Sequence, residues 1–134
     1  MFPKEYQAIL KSISSTMKTS EAVKMVCEAI EEKKGSDIVV LDISKISSFT
    51  DYFVICSGFN PRQNQAICDA IRERLKREDH SMPGHVEGYR DPDWILLDYL
   101  DYVVHIFSPE ARQFYKLERL WNDGELIDLE ALIA

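Results

Sequence analysis

The chain lacks the means by which small proteins are usually stapled. Its three cysteines, Cys27, Cys56 and Cys68, are an odd number set far apart, and no CxxC occurs. Each lies among apolar neighbours in a segment of helix or strand character, where cysteine acts as a small hydrophobe. The three histidines, His80, His85 and His105, fall at no metal-ligand spacing to any cysteine. No metal site and no cofactor is expected, although sequence distance alone does not exclude a site assembled in space. No apolar run approaches the roughly eighteen residues that cross a bilayer. Met1-Phe2-Pro3-Lys4-Glu5-Tyr6 lacks the charged-then-apolar order of a secretory leader. A cytoplasmic protein without membrane contact is therefore expected. There is no internal repeat and no low-complexity tract.

What is present suits one domain. The 134 residues are 46% hydrophobic and 29% charged, ordinary values for a globular chain that buries a core without disulfides. The net charge of −7 is unevenly spread. Residues 1–35 hold six basic and five acidic residues, residues 36–81 six and seven, and residues 82–134 four and eleven. The balances are thus +1, −1 and −7, so the excess lies in the last stretch. That stretch repels phosphate backbones and attracts basic partners, so no direct nucleic-acid contact is expected there. Seven of the fourteen aromatics also fall between Trp94 and Trp121. Aromatic anchors among charges are what interfaces use, while a packed sheet with a solvated acidic rim explains the same pattern.

The spacing of Tyr6, Ile9, Leu10, Ile13 and Met17 predicts a short appended helix and linker over residues 1–18. The domain proper then runs over 19–124, with a tail at 125–134 able to add an amphipathic turn. A firmer helix over about 20–34 carries Ala22, Val23, Val26, Cys27 and Ile30 on one stripe and ends at Gly35. Residues 38–43 and 52–56 are β-branched strands. Asn60 reads as an N-cap and Pro61 as the first residue of a helix reaching about Glu78, with Ile67, Ile71 and Leu75 inward and Arg62, Arg72, Arg74, Lys76 and Arg77 outward. After a loop containing Pro83, Gly84, Gly88 and Pro92, residues 94–99 and 102–107 form two strands too close to be anything but a hairpin. A last helix opens at Ser108-Pro109, with Ala111, Phe114, Leu117 and Trp121 inward. Phe107, Phe114 and Trp121 are assigned to the core, whereas Tyr99 and Tyr102 flank the turn, where burial is not required.

Chemistry is mostly absent. Ser57-Gly58-Phe59-Asn60-Pro61 joins a strand to a helix N-terminus, a place that can cradle phosphate. It has one glycine and no P-loop lysine, so an N-capped turn explains it. Asp98 and Asp101 flank the hairpin turn, which favours Asp for its own reasons, and Asp42 and Asp51 sit at strand ends. No DxD pair stands beside the Gly58 turn, as two-metal chemistry would require. Cys56 and His105 could meet across strands, yet burial makes a thiol inert. An enzyme is not expected.

Several blocks resemble one family. Asp37-Ile38-Val39-Val40-Leu41-Asp42, then Thr50-Asp51-Tyr52-Phe53-Val54-Ile55-Cys56-Ser57-Gly58, Arg62-Gln63 and Ala66-Ile67 are similar to the first half of the Iojap family, the ribosomal silencing factors. Glu87-Gly88, Trp94-Ile95-Leu96-Leu97-Asp98-Tyr99, Asp101, Val103-Val104-His105-Ile106-Phe107, Arg112, Tyr115, Leu117-Glu118 and Leu120-Trp121 resemble its second half. The resemblance implies an α/β fold: a mixed β-sheet flanked by helices, nucleotidyltransferase-like in topology but without catalytic carboxylates. It further implies binding to the large ribosomal subunit through ribosomal protein fourteen, blocked subunit association, and repressed translation under nutrient limitation. An assembly role on the same subunit is the alternative, and a nucleotidyltransferase-like enzyme a more distant one. The expected partner-binding residues are Trp94, Leu96, Asp98, Tyr99, Asp101, His105 and Glu118. An aromatic hairpin could also support a homodimer of the free protein. The chain departs from the family at Leu100, where glycine is usual, at Tyr102, and at Phe59-Asn60-Pro61. Leucine lacks glycine's ease at positive φ, so a different turn type is expected there.

Overall fold

The computed structural model describes residues 14–115 and 125–126. Within them the order is α1 (Ser14–Glu32), β1 (Ser36–Asp42), β2 (Tyr52–Ser57), α2 (Pro61–Asp79), β3 (His85–Glu87), β4 (Trp94–Asp98), β5 (Tyr102–Phe107), α3 (Pro109–Tyr115) and β6 (Glu125–Leu126). The strands form one mixed sheet in the order β3-β4-β5-β2-β1-β6. Its central pair, β2 with β5, is parallel, while β1–β2, β4–β5, β3–β4 and β1–β6 are antiparallel. Every residue of β2 and of β5 is buried, as expected of strands covered on both faces.

Side-chain alternation divides the core in two. Val40, Tyr52, Val54, Cys56, Ile95, Leu97, Tyr102, Val104 and Ile106 face α1 and α2, whose Val23, Val26, Cys27, Ile30, Ile67, Ile71 and Leu75 complete the larger cluster. Leu41, Ile43, Phe53, Ile55, Val103 and Phe107 occupy the outer face with Val39, Trp94, Leu96 and Ala111 against them. The mixed sheet flanked by helices agrees with the sequence expectation.

α2 is closed at both ends. Asn60 accepts a hydrogen bond from Gln63 N, Pro61 begins the helix, and His80 at φ 53° ends it with its N–H on Leu75 O. Four details differ from the sequence reading. The backbone is already helical at Ser14, inside the stretch read as a linker. β3 lies in what reads as a loop, three residues being too few to show a period. Glu125–Leu126 is a strand paired with the end of β1, where a helical turn had been the expectation. Tyr102 is 4% exposed and Tyr99 half-buried, the two rings stacked at 5.0 Å. The tyrosines thus belong to the helix-side core. Leu117 and Trp121 lie outside the described residues, as does the side chain of Phe114.

Candidate functional site

The thiols belong to the helix-side core. Burial pushes Cys56 up to about 12 despite the nearby Arg112, and Cys68 up to about 11; Cys27 is also raised, by burial first and then by Cys56. Such thiols stay protonated and unreactive at neutral pH. Register places Cys56 opposite Ile106 and Ile55 opposite His105, so Cys56 and His105 point to different faces and form no dyad.

Three backbone donors of the Gly58 turn are already taken. Gly58 N donates to Phe107 O at 3.2 Å, Phe59 N to Gln63 Oε1 at 2.6 Å, and Gln63 N to Asn60 Oδ1 at 2.8 Å. Gln63 Nε2 in turn donates to Lys33 O and Lys34 O, fastening the end of α1 to the start of α2. Gly58 is required by packing, because a Cβ there would collide with Oδ1 of buried Asn64. Asp42 is engaged by Ser44 through its N at 2.9 Å and Oγ at 2.6 Å. Among the described residues no group of three His, Cys, Asp or Glu could hold a metal ion.

The outer face holds a denser arrangement. β4 turns Trp94, Leu96 and Asp98 outward, opposite Phe107, His105 and Val103 of β5. Trp94 Nε1 donates to His105 Nδ1 at 3.0 Å, and its ring lies 5.0 Å from that of Phe107. Phe53 meets His105 edge-on at 4.7 Å. Burial pulls the His105 pKa down to about 4, so the ring is neutral near pH 7. An indole can only donate, so Nδ1 accepts and the proton is assigned to Nε2. That buried Nε2 has no hydrogen-bond partner among the described residues. Its position is central and its exposure only 3%, so His105 positions Trp94 more than it meets solvent.

This face runs into the hairpin turn. Asp98 Oδ1 accepts from Leu100 N at 2.8 Å, Asp101 N donates to Tyr99 O, and Tyr99 N to Tyr102 O, each at 3.0 Å. Leu100 sits at φ 76° in the γ-turn so formed. The left-handed conformation that leucine was expected to avoid is therefore present, held by the Asp98 carboxylate and the tight register. Its side chain is 74% exposed. Asp101 O accepts from Asp51 N and Tyr52 N, which brings the β1–β2 loop against the turn. The Asp51 pKa is raised, first by burial and then by Asp101 and Asp42, so negative charge accumulates at this end of the sheet.

Trp94, Leu96, Asp98 and His105 thus share one face, with exposed Asp101 at its end. Tyr99 does not join them: 94, 96 and 98 have one parity and 99 the other, so its ring packs on the helix side. Burial raises its hydroxyl pKa. Glu118 lies outside the described residues. Sequence reasoning missed Leu100 as an exposed apex, and also His85 and Glu87, which lie opposite Asp98 and Leu96 and meet each other at 2.8 Å. Their i, i+2 spacing was the available signal, hidden by the brevity of β3.

Residues 16–134 match the model of the family described as "Ribosomal silencing factor during starvation". The match extends through the tail at 125–134. The chain is 34% identical over 118 residues to the ribosomal silencing factor of Halalkalibacterium halodurans, covering 88% of this chain and 100% of that one. A mouse protein named for mitochondrial assembly of the ribosomal large subunit is 31% identical over 116 residues, covering 84% of this chain and 50% of that one. A crystal structure of a Chromobacterium violaceum protein superposes with a TM-score of 0.73 at 34% identity, covering 76% of this chain and 84% of that one.

Proposed function

The chain belongs to the family of ribosomal silencing factors, and from that premise we propose that it binds the large ribosomal subunit through ribosomal protein fourteen and keeps the small subunit from joining. One relative is named for silencing of the ribosome and another for assembly of its large subunit, and both names support a ribosomal role. The contact falls on Leu96 and Trp94, with His105 as the support behind them and Asp98 and Asp101 at the rim. Translation in the cytoplasm falls when nutrients are short because subunits carrying the factor cannot pair.

One observation carries this reading. The half-buried Trp94 and Leu96 run directly into an outward, acidic turn in the part of the chain that holds the whole net charge. An apolar patch edged by carboxylates suits a basic protein: the charges steer encounter and fix orientation, and the aromatic supplies contact area. Ribosomal proteins are commonly basic because they meet RNA, so the sign of the surface fits.

The test is purified protein added to separated subunits and resolved on a gradient. Co-migration with the large subunit and a smaller joined peak are expected. If the protein stays at the top and joining is unchanged, the proposal fails. The assembly reading, which the mouse relative's name favours, differs in outcome: cells lacking the protein would accumulate immature large subunits even in rich medium.

A further inference from the structure

The opposite end of the sheet carries a second surface of different chemistry. Phe59 is 74% exposed, directly before the start of α2. Its backbone is not loose, because Phe59 N is bonded to Gln63 Oε1 at 2.6 Å. The same Gln63 amide donates to Lys33 O and Lys34 O at 3.1 and 3.0 Å. One side chain therefore gathers Phe59, Lys33 and Lys34 at the junction of α1 and α2, Arg62 precedes it in the first turn of α2, and all four residues are exposed.

Two sets of cations on and beside the helices contrast. Arg74 contacts Glu28, Glu32 and Glu78, and Arg77 contacts Glu73 and Glu78. Their charge is spent within the protein. Lys33, Lys34 and Arg62 make no ion pair among the described residues. Of the carboxylates near them in sequence, Glu32 is drawn to Arg74, leaving Glu31 and Asp37. The acidic excess that repels phosphate lies in residues 82–134, and β2 alone puts about 17 Å between this end and the hairpin turn.

We propose that this end contacts RNA, with an unpaired base stacked on Phe59 and the flanking phosphates held by Lys33, Lys34 and Arg62. An exposed aromatic ring among unpaired cations is the arrangement that binds single strands, because every base has a π-face and every linkage a charge. The backbone N–H groups of Gly58, Phe59, Gln63 and Asn64 take no part, being already bonded. The contact stands apart from the hairpin contact with ribosomal protein fourteen. If both operate, the factor touches the large subunit at two points, one protein and one RNA.

The test uses the full chain and a labelled single-stranded RNA of about 12 nucleotides, read by fluorescence anisotropy. Binding is expected at about 50 mM salt, weakening about fifteen-fold by about 200 mM, a log–log slope near −2 from three cations. Lys33→Glu/Lys34→Glu/Arg62→Glu should abolish binding. Phe59→Ala should weaken it about ten-fold while leaving the slope unchanged. All four side chains are exposed, and melting curves within a few degrees of wild type would verify that the variants fold. A parallel measurement with isolated ribosomal protein fourteen should show unchanged affinity for the triple variant. Failure of that wild-type contact would count against the proposed function and leave the RNA measurement readable. The RNA proposal is overturned if wild type does not bind RNA at low salt, or if the triple variant binds as well as wild type. It is equally overturned if the triple variant loses only its affinity for whole subunits, since its cations would then meet a protein.

Discussion

The two ends of the sheet are built on contrasting terms. Around Gly58 the backbone donors of Gly58, Phe59 and Gln63 are paired, the helix is capped by Asn60 and Pro61, and Gln63 ties three carbonyl and amide groups together. Around Leu100 the main chain itself is under tension: a leucine at φ 76° is held up by one carboxylate and one tight register. Carboxylates converge there, and Asp51 feels the crowding. Rigid, satisfied local structure thus supports one surface, while the other keeps a costly conformation that packing alone does not demand. Strained backbone of this kind is worth about 1–3 kcal/mol per residue and persists where the surroundings enforce it.

The largest expected effect concerns the face that joins the two ends. His105 has an ordinary unfolded pKa of 6.5 and a folded value of about 4. The unfolded chain therefore takes up the proton first, and stability is complete above about pH 6.5 and lost as pH falls toward 4. The loss should reach about 3 kcal/mol. Urea unfolding of wild type and His105→Gln between pH 7 and 4 isolates it, since carboxylate contributions common to both cancel. Equal pH dependence in the two would mean that the Trp94–His105 pair is not organised as described.

Gln63→Ala comes next. Losing its bonds to Phe59, Lys33 and Lys34 should cost about 2 kcal/mol, discounted for partial exposure, and chemical denaturation measures it. A cost near zero would erase the contrast between a bonded end and a strained one. Asp101→Lys should weaken binding to ribosomal protein fourteen about ten-fold without affecting the fold, because its side chain is exposed and makes no hydrogen bond or ion pair among the described residues. It is cleaner than a change at Asp98, whose carboxylate also holds Leu100 N. Leu100→Gly has the smallest effect and the most informative sign. Relief of positive φ should stabilise the protein by about 1 kcal/mol, while the lost apex should weaken binding. A thermal melt together with one titration decides both; a variant that is more stable and binds equally well would show that the strain serves nothing.

The elements themselves were legible where local chemistry dictates them. Val39-Val40-Leu41 and Phe53-Val54-Ile55 read as strands from β-branching and burial, and Asn60-Pro61 as a helix start from capping. The hairpin followed from the few residues between 99 and 102. What failed was tertiary. Tyr99 was grouped with Trp94, Leu96 and Asp98, although strand parity sets it on the other face. β3 exists because β4 offers it an edge, which no property of His85-Val86-Glu87 announces. The left-handed Leu100 depends on a carboxylate two residues earlier and on the β4–β5 register, so intrinsic preference pointed the wrong way. Of the expected contact residues, Glu118 lies beyond the described ones.

The parallel pairing at the centre of the sheet has a kinetic consequence. β4 meets β5 across three connecting residues, but β2 meets β5 with Tyr52 beside Tyr102, after the whole of α2, β3 and β4 has been threaded between them. Loop-closure entropy charges little for the first event and more for the second. Assembly is thereby ordered. The hairpin that bears the acidic turn is a local product, available early, and the central pairing that covers the free edge of β5 comes late, as the step that commits the chain to its native sheet.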